Sequence, residues 1–583
     1  MSILAALVRA YERLPDAPPY GYSVEKIGFA VSLNEDGTVA HVIDLRDQQG
    51  RSLRLRRMLV PQPAKRTSAI VPNFLWDKTS YALGVTAEKG KRTEEEHTAF
   101  VERHLRALSN TGDPGLLAFR KFLEQWRPDH YVEPFWPNDL KDQNVVFLLE
   151  SDRLQNIYLH DRPAAKALWS EMTSSDEATI SVCLVTGHRG PVARLHPAIK
   201  GVRGAQPSGA SIVSFNRDAF TSYGHEQGDN APISERAAFA YTTALNKFFE
   251  EGSRNRIQIG DASTVFWAET SERGSATVAE GLFAAMFTEI DEISEAQKVG
   301  ALLERIRRGQ PLRDVAPQLT QGVRFYVLGL APNASRLAVR YWLEDDFGRV
   351  AENYQRFVRD MAIEPGPRDP NPTLWKYLQE TAAQRKSENI LPNLAGDWMR
   401  AILVGTPYPL TLLSTLLMRI RSDKEVNALR AGILRAVLVR NFGMEKEASV
   451  ALDVENTNRG YLLGRLFAAY EYTQTVALGQ KVNSTIKDKF YGAASAQPRK
   501  VFPLLERGSA NHLSKIGKER PGLRVNLERT IGAIMERMSP TADPFPASLT
   551  AQEQALFGLG YYHQRNEFFK SKRGETADEG VTE

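Results

Sequence analysis

The segment IEPGPRDPNP (363–372) separates two regions of the 583-residue chain that follow different patterns. Before it, short β-rich runs alternate with short helical runs. After it, strand patterns largely disappear, and long amphipathic runs such as TLLSTLLMRIRSDKEVNALRAGILRAVLVRNFG (411–443) follow. Its four prolines interrupt any helix that would join the two regions. The sequence therefore predicts an α+β fold, with a mixed α/β N-terminal region that carries basic loops and a C-terminal all-α helical bundle.

A chain of this length is too long for one hydrophobic core, so we expect several domains. We predict a mixed α/β N-terminal region over residues 1–345, a helical connecting region at the proline-rich break over residues 346–443, and a helical bundle over residues 444–583. The uncharged run AILVGTPYPLTLLSTLLM (401–418) approaches the length of a membrane span. Because two prolines interrupt it, two short buried helices are predicted there, and no membrane association is expected.

Several runs in the N-terminal region predict individual strands. KIGFAVSL (26–33) and TVAHVIDL (38–45) flank the turn NEDG and predict a β-hairpin. VVFLLE (145–150) and ISVCLVTG (180–187) are continuous apolar runs and predict buried strands. Cys183 is the only cysteine of the chain, so no intrachain disulfide can form, which fits a reducing cytoplasm. The usual role of such a thiol is inert packing.

Two segments contain no Asp or Glu at all. Residues 178–217 carry five basic side chains, and residues 48–76 carry six, although the formal net charge of the whole chain is only +4. The first segment becomes a loop rich in Gly, Pro and Ser. A local excess of cations on such a backbone is typical of contact with phosphates. The alternative is a basic surface that only keeps the protein solvated.

The sequence signatures of common enzymes are absent from the chain. It contains no G-x-S-x-G nucleophile elbow, no H-E-x-x-H zinc motif and no G-x-x-x-x-G-K-[ST] phosphate loop. One cysteine and ten scattered histidines lack metal-ligand spacing, so no metal and no cofactor are expected. The residues thus favour a binding subunit over an enzyme. The alternative is a metal-dependent nuclease acting on DNA, built around the lone pair His160 and Asp161. The N-terminal residues also lack the basic segment and cleavage site of a signal peptide.

Long blocks of the sequence resemble one family, the large subunit of the type I-C CRISPR Cascade effector complex. The blocks are RTSAIVPNFLWDKTSYALGV (66–85), HPAIKGVRGAQPSGASIVSFNRDAFTSYG (196–224), RIQIGDASTVFWAE (256–269), VLGLAPNASRLAVRYW (327–342), GYLLGRLFAAYEYTQ (460–474) and STIKDKFYGAASAQPRKVFPLL (484–505). The resemblance runs from the N-terminal helix to about residue 505 and beyond.

The resemblance implies a role in RNA-guided DNA surveillance. In such complexes the guide RNA reads the target by base pairing, and the protein reads only a short protospacer-adjacent motif on duplex DNA. The large subunit of this family recognises that motif, helps to unwind the target, stabilises the R-loop and presents a surface to the helicase–nuclease, without cleaving DNA itself. The implied partners are target double-stranded DNA, the backbone subunits that hold the guide RNA, the subunit that binds its 5′ handle, and a small subunit.

The resemblance also implies that the small subunit is made separately from an internal translation start in the same gene. Met444 stands at the head of the last helical block, and a start there would yield a chain that covers residues 444–583. That length suits a helical bundle, and the bundle resembles the Cascade small subunit. The alternative is an ordinary methionine after a helix-ending glycine.

Two loops offer residues that suit reading of duplex DNA. In GVRGAQPSG (201–209) the glycines allow close approach of the backbone, Arg203 suits a phosphate or a minor groove, and Gln206 and Ser208 suit base edges. The predicted motif-reading residues are Arg203, Gln206, Ser208, Gly209, Thr67, Ser68 and Asn73. The predicted phosphate-binding residues are Lys65, Arg66, Lys200 and Arg217. Phe74 and Trp76 are expected to lie in a core rather than to stack on bases.

The C-terminal bundle contains a further basic cluster around FYGAASAQPRKVFP (490–503). It predicts a groove for the displaced single strand, formed by Lys487, Lys489, Arg499, Lys500, Arg507 and Lys515. The alternative is a solvated helix face. A purely structural scaffold without a nucleic-acid role is a third reading of the whole chain.

Overall fold

The computed structural model describes residues 2–49, 52–64, 66, 69–87, 92–173, 179–288, 294–479 and 484–578. The chain forms two compact units. The N-terminal unit comprises residues 2–197 and 213–244, and the C-terminal unit comprises residues 198–212 and 245–583. About 52% of the chain is helical and 15% is strand, with the strands in the first part, so the predicted α+β class is confirmed.

The N-terminal unit alternates short strands and helices. Its elements are α1 (Ile3–Arg13), β1 (Tyr22–Ile27), β2 (Phe29–Leu33), β3 (Val39–Asp44), β4 (Asp47–Gln49), β5 (Ser52–Arg54), β6 (Arg56–Pro61), β7 (Trp76–Lys78), α2 (Thr79–Ala82), α3 (Thr93–Ala107), α4 (Pro114–Gln125), β8 (Asn144–Leu149), α5 (Pro163–Thr173), β9 (Ile180–Val182), β10 (Arg189–Pro191) and most of α6 (Glu235–Phe248).

The central sheet of this unit has the strand order β3-β2-β8-β7. β2 and β3 pair antiparallel, which confirms the predicted hairpin. Gly37 closes its turn with a φ of 90°, and its N–H donates to the carbonyl oxygen of Asn34 at 2.9 Å. β2 runs parallel to β8, which is buried as predicted. Helices α3 and α4 cover one face of the sheet with aromatic side chains such as Phe100 and Phe119.

The prediction of a buried strand over ISVCLVTG (180–187) was wrong. Only β9 within this run is a strand, and it pairs with three residues of β10. Ile180 and Val182 are 55% and 53% exposed, while Cys183 is buried as expected. In this two-stranded ribbon, the face that carries Ile180 and Val182 is not covered by a second layer. An apolar run does not reveal how many layers will pack on it, so the pattern alone could not distinguish the two outcomes.

The C-terminal unit begins with an antiparallel sheet and continues in helices. Its elements are β11 (Arg256–Ile259), β12 (Ala262–Glu269), α7 (Arg273–Phe287), α8 (Ser294–Arg307), α9 (Leu312–Val315), β13 (Arg324–Asn333), β14 (Arg336–Asp346), α10 (Phe347–Asp360), α11 (Leu374–Gln379), α12 (Pro392–Val404), α13 (Leu410–Asp423), α14 (Ala428–Phe442), α15 (Arg459–Leu478), α16 (Ile486–Ala496), α17 (Pro498–Glu519), α18 (Pro521–Glu536) and α19 (Ala551–Asp578). The sheet order is β11-β12-β13-β14.

One hydrophobic core joins the sheet and the helices of this unit. It extends from Ile257 on β11 to Tyr562 on α19, so the proline-rich segment 363–372 lies within the unit. The two compact units therefore differ from the predicted regions 1–345, 346–443 and 444–583. A proline-rich segment interrupts helices without separating cores, because the helices on either side of it can still pack together.

The uncharged run 401–418 forms the end of α12 and the start of α13, with Pro407 and Pro409 between them, as predicted. Leu403 and Leu412 on these helices are buried in the core. Within the described ranges, none of the helices has both the length and the hydropathy that a membrane span requires.

Helices α15 and α19 approach each other backbone to backbone. A Cβ atom on Gly464 would lie 2.0 Å from the carbonyl oxygen of Phe557, and one on Gly560 would lie 2.1 Å from that of Tyr461. A Cβ atom on Gly460, one turn before Gly464, would likewise lie 2.4 Å from a carbonyl oxygen of α19. Only glycine permits this spacing, since real Cβ atoms do not come so close to other heavy atoms.

We expect Gly464→Ala to destabilise the C-terminal unit by ~2 kcal/mol or more, because the added methyl group must push two helix backbones apart. Chemical unfolding followed by circular dichroism measures the change. Gly508→Ala on α17 is the matched control, since no atom lies within 4 Å of its added Cβ. Alanine there should stabilise by ~0.5–1 kcal/mol through helix propensity. Equal effects of the two substitutions would contradict the proposed packing constraint.

Candidate nucleic-acid interface

Residues 200–209, which we call the glycine loop, form a hairpin-like loop in the C-terminal unit. Ile199 and Ala210 pair at its base through two backbone hydrogen bonds of 2.8 and 2.9 Å. The chain that follows is joined to β14, because the N–H of Leu337 donates to the carbonyl oxygen of Ser211 at 2.9 Å. Both ends of the loop are therefore fixed to the body of the unit.

Further contacts hold the first half of the loop. The N–H of Lys200 donates to the Asn246 side chain at 2.7 Å, and the N–H of Arg203 donates to the Ser263 hydroxyl at 3.0 Å. Val202 between them is buried, with 5% of its surface exposed. With the backbone anchored at Lys200 and Arg203 and Val202 buried, the side chains of Lys200 and Arg203 stay on the surface. The loop is thus fixed by its backbone rather than by its polar side chains.

The predicted reading residues of this loop are exposed. Lys200, Arg203, Gln206 and Ser208 all lie on the surface. Within the described residues, their side chains form no hydrogen bond or ion pair with the rest of the chain. A guanidinium, an amide and a hydroxyl without intramolecular partners are free to bind phosphates and base edges.

Three glycines of this loop adopt backbone conformations that other residues rarely adopt. Gly201, Gly204 and Gly209 have φ values of 83°, 81° and 94°. A Cβ atom on Gly209 would also lie 2.9 Å from the carbonyl oxygen of Ile199, across the base of the loop. Gly209 therefore has a structural reason to be glycine, whatever else it contacts.

Arg217 is exposed as predicted, but it belongs to the N-terminal unit and not to the glycine loop's unit. The acid-free segment 178–217 thus crosses from one unit to the other and back. The structure consequently does not bring its basic residues together as a single patch within one unit.

The second predicted segment is a structural element rather than a free basic loop. Arg66 forms an ion pair with Asp77, whose side chain is 1% exposed, and its Nε donates to the carbonyl oxygen of Val71 at 2.7 Å. Its guanidinium also lies over the ring of Tyr81, 3.9 Å from the centroid. The prediction that Arg66 binds phosphate is corrected accordingly, because the side chain already has its partners. Burial raises the pKa of Asp77, and the charge of Arg66 opposes that rise.

Asn73 is likewise corrected. It is 4% exposed, and its side-chain oxygen accepts from the N–H of Ala64 at 3.0 Å, so it presents no edge to a duplex. Phe74 and Trp76 lie in the core, as expected. The predicted residues Lys65, Thr67 and Ser68 fall outside the described residues.

His104 supports this segment from α3. The N–H of Leu75 donates to its Nε2 at 2.9 Å, and Nδ1 lies 2.7 Å from the carbonyl oxygen of Phe100. The backbone donor fixes the tautomer, with Nε2 as acceptor and the proton on Nδ1. Burial lowers the pKa of His104 to about 3, so the ring is neutral at physiological pH.

Four of the six predicted groove residues are exposed without a partner among the described residues. They are Lys489, Lys500, Arg507 and Lys515. Lys500 and Arg507 stand seven residues apart on α17 and therefore on one face of the helix. Lys518 continues that face, about 27 Å from Lys500 along the axis, and the sequence analysis missed it. Lys518 follows Lys500 by eighteen residues, which is five helical turns, and this spacing could have predicted its place on the same face.

The other two groove residues have intramolecular roles. Arg499 forms an ion pair with Asp543 at 2.7 Å, and its Nε donates to the carbonyl oxygen of Phe545 at 3.3 Å. Lys487 is half-buried with its Nζ 5.9 Å from the ring centroid of Tyr561, and burial lowers its pKa.

We call the three exposed cations on one face of α17, Lys500, Arg507 and Lys518, the basic stripe.

Met444 has an ordinary structural place. It follows Gly443, which ends α14 with a φ of 64°, and its N–H donates to the carbonyl oxygen of Leu438 at 3.2 Å. Its side chain packs against the core of the unit. These contacts account for a methionine here, and they do not bear on translation initiation, which stays a prediction.

His160 and Asp161 do not form a metal centre in the described part of the chain. His160 is 1% exposed, and burial lowers its pKa to about 4. Its Nε2 lies 3.8 Å from a carboxylate oxygen of Asp161. Across the described ranges, no group of three or more His, Cys, Asp or Glu side chains is placed to hold a metal ion.

Comparison with known protein families gives a match over most of the chain. The sequence model of the family described as CRISPR-associated protein (Cas_Csd1) matches residues 7–569, nearly the whole chain. No curated protein is similar enough to count as a match.

The pKa of His104 predicts a pH dependence of stability. The folded pKa lies below the ordinary value of ~6.5, so the unfolded chain binds the proton first as the pH falls. The stabilising contribution is complete above pH ~6.5, and ~3 kcal/mol of it should be lost by pH ~4. His104→Gln should flatten this part of the unfolding profile. His188→Gln, at an exposed residue, is the control that replaces a histidine without touching a buried ring.

Proposed function

Because the chain belongs to the CRISPR-associated Csd1 family, we propose that it is the large subunit of a type I-C Cascade surveillance complex and that its glycine loop inspects duplex DNA. The observation that supports this proposal is the fixed, exposed glycine loop with unpartnered Arg203, Gln206 and Ser208 side chains. The role is one of binding, with no catalytic residue and no cofactor.

The loop suits inspection of a closed duplex for physical reasons. Its backbone is already ordered by the anchors at its base, so little conformational entropy is lost on binding. Glycine without a side chain lets the backbone approach the groove closely. Arg203 contributes a positive charge that attracts any phosphate backbone, whereas the short side chains of Gln206 and Ser208 can distinguish donor and acceptor patterns on base edges.

Recognition of the target is then divided between RNA and protein. The guide RNA reads the sequence by pairing, and the large subunit licenses that pairing where the adjacent motif is present. In this proposal the basic stripe on α17 holds the displaced strand through its phosphates. A row of three cations over about 27 Å matches the backbone of several nucleotides.

The proposal places the chain among defined partners. They are the backbone subunits around the guide RNA, the subunit that binds the 5′ handle, the small subunit produced from an internal start at or near Met444, and a helicase–nuclease recruited after R-loop formation. N-terminal sequencing of a small polypeptide that copurifies with the complex would test Met444 directly.

We expect Arg203→Ala to weaken binding of the assembled complex to all duplexes, with a salt slope shallower by about one, because one phosphate contact is lost. Gln206→Ala and Ser208→Ala should instead reduce discrimination by ~1–3 kcal/mol per lost base contact. Binding to duplexes that differ only in the three adjacent bases measures both effects. Arg308→Ala is the control, since this arginine of the same unit has 74% side-chain exposure and pairs with Glu304. Equal losses on every duplex for all three loop variants would contradict the division of roles.

Replacement of the basic stripe by alanine, in the triple variant of Lys500, Arg507 and Lys518, should weaken binding of single-stranded DNA and lower the salt slope by about two. Duplex discrimination should not change, because the stripe reads no bases. A charge-matched control removes Arg499, Arg524 and Arg537, which pair with Asp543, Glu528 and Glu455. If the control weakened single-strand binding as much as the triple variant, net charge rather than the stripe would be responsible.

A further inference from the structure

Residues 127–143 of the N-terminal unit form a turn that exposes apolar side chains. Val132 is 61% exposed and Phe135 is 49% exposed, with Pro134 exposed between them. Single exposed apolar residues are common, but an aromatic ring, a proline and a β-branched residue together at the tip of one turn are a surface that binding would bury. We call residues 127–143 the acidic turn, for the charges described below.

Side chains that point inward hold the tip in place. Tyr131 and Trp136, on either side of the tip, are buried and stack with ring centroids 5.0 Å apart. The N–H of Trp136 donates to the carbonyl oxygen of Val132 at 3.1 Å, and the Tyr131 hydroxyl donates to that of Pro137 at 2.9 Å. The ring of Phe135 meets Trp136 edge-on at 5.9 Å. The exposed side chains are thus preorganised, as are the central residues of protein interfaces.

The charges around this tip are negative, in contrast to the rest of the proposed binding surfaces. The turn contains four carboxylates, Asp129, Glu133, Asp139 and Asp142, against two cations, Arg127 and Lys141. Asp139 pairs with Arg46 at 2.6 Å, but Arg46 is shared with Asp44 at 2.7 Å. Asp129 and Glu133, the acids nearest the apolar tip, are both exposed.

We propose that the acidic turn is a docking surface for a protein component of the assembly, one with an apolar recess bordered by lysine or arginine side chains. Nucleic acid is disfavoured because phosphates would meet carboxylates at this tip. A basic rim on the partner would complement Asp129 and Glu133, while the recess would bury Val132 and Phe135. This inference rests on the proposed function only in that the chain works within a multi-protein complex.

The test compares the assembled complex containing wild-type chain with one containing Val132→Ser and Phe135→Ser. Native mass spectrometry quantifies each protein component, and degradation of a target plasmid reports recruitment of the helicase–nuclease. We expect association of one protein component to fall by about tenfold or more, as for loss of central interface residues. The control, Leu154→Ser with Leu391→Ser, removes side chains that are 88% and 48% exposed elsewhere and should have no effect.

A second variant tests the charges alone. Asp129→Asn with Glu133→Gln keeps the apolar tip and should weaken the same association while making it less sensitive to salt. If the melting temperature shows that the chain with Val132→Ser and Phe135→Ser does not fold, the charge variant alone tests whether this surface binds a protein component.

Three results would overturn the proposal. One is retention of every protein component and of plasmid degradation in both variants. Another is loss of duplex binding by the isolated variant chain, which would make the surface a nucleic-acid site. The third is a dimer of the isolated wild-type chain that the variants abolish, which would make the occupant a second copy. If wild-type complex failed to discriminate the motif, the proposed function would fail, yet the association measurements would still decide this inference.

Discussion

The close approach of α15 and α19 is the constraint on which the helical part of the C-terminal unit depends. Glycines on both helices, Gly464 and Gly560, leave no side chain between the two backbones. The neighbouring aromatic rings then pack around the crossing rather than within it, and the ring centroids of Phe467 and Phe557 lie 5.7 Å apart. α14 adds to the same cluster, since Leu434 occupies the space beside Gly558. A wider spacing would separate all three helices, which explains why glycines recur at this crossing.

The glycine loop and the segment around Arg66 illustrate how similar residue types acquire opposite roles. In the loop, backbone hydrogen bonds and one buried valine provide the anchoring, so the polar side chains stay free. Around Arg66, the polar side chains themselves provide the anchoring, because Asp77 pairs with Arg66 and also accepts the N–H of Asn73 at 2.8 Å. A side chain that satisfies a buried partner has little left to offer a ligand.

This difference sets the limit of what the sequence could predict. Periodicity and turn residues identified the β2–β3 hairpin, the buried β8 and most helices, since these features depend on neighbours in sequence. The acid-free segment 48–76 looked unneutralised, yet Arg66 is neutralised by Asp77, the first residue after the end of that segment. Arg499 has its partner 44 positions away, at Asp543. Which cations stay free is decided by such pairings, and composition does not contain them.

The chain carries positive charge on the glycine loop and the basic stripe and negative charge on the acidic turn, and this difference in sign favours different partners at each surface. The positive charges of the glycine loop and of the basic stripe would attract any phosphate backbone, so on their own they would also bind the wrong segment of an RNA or DNA strand. In the proposed assembly, carboxylates beside the apolar tip of the acidic turn would repel phosphates and so keep that surface clear for a protein. Electrostatic exclusion of this kind needs no shape selectivity. It acts before contact and weakens with salt, and in the proposed ribonucleoprotein it would separate protein contacts from nucleic-acid contacts by sign of charge.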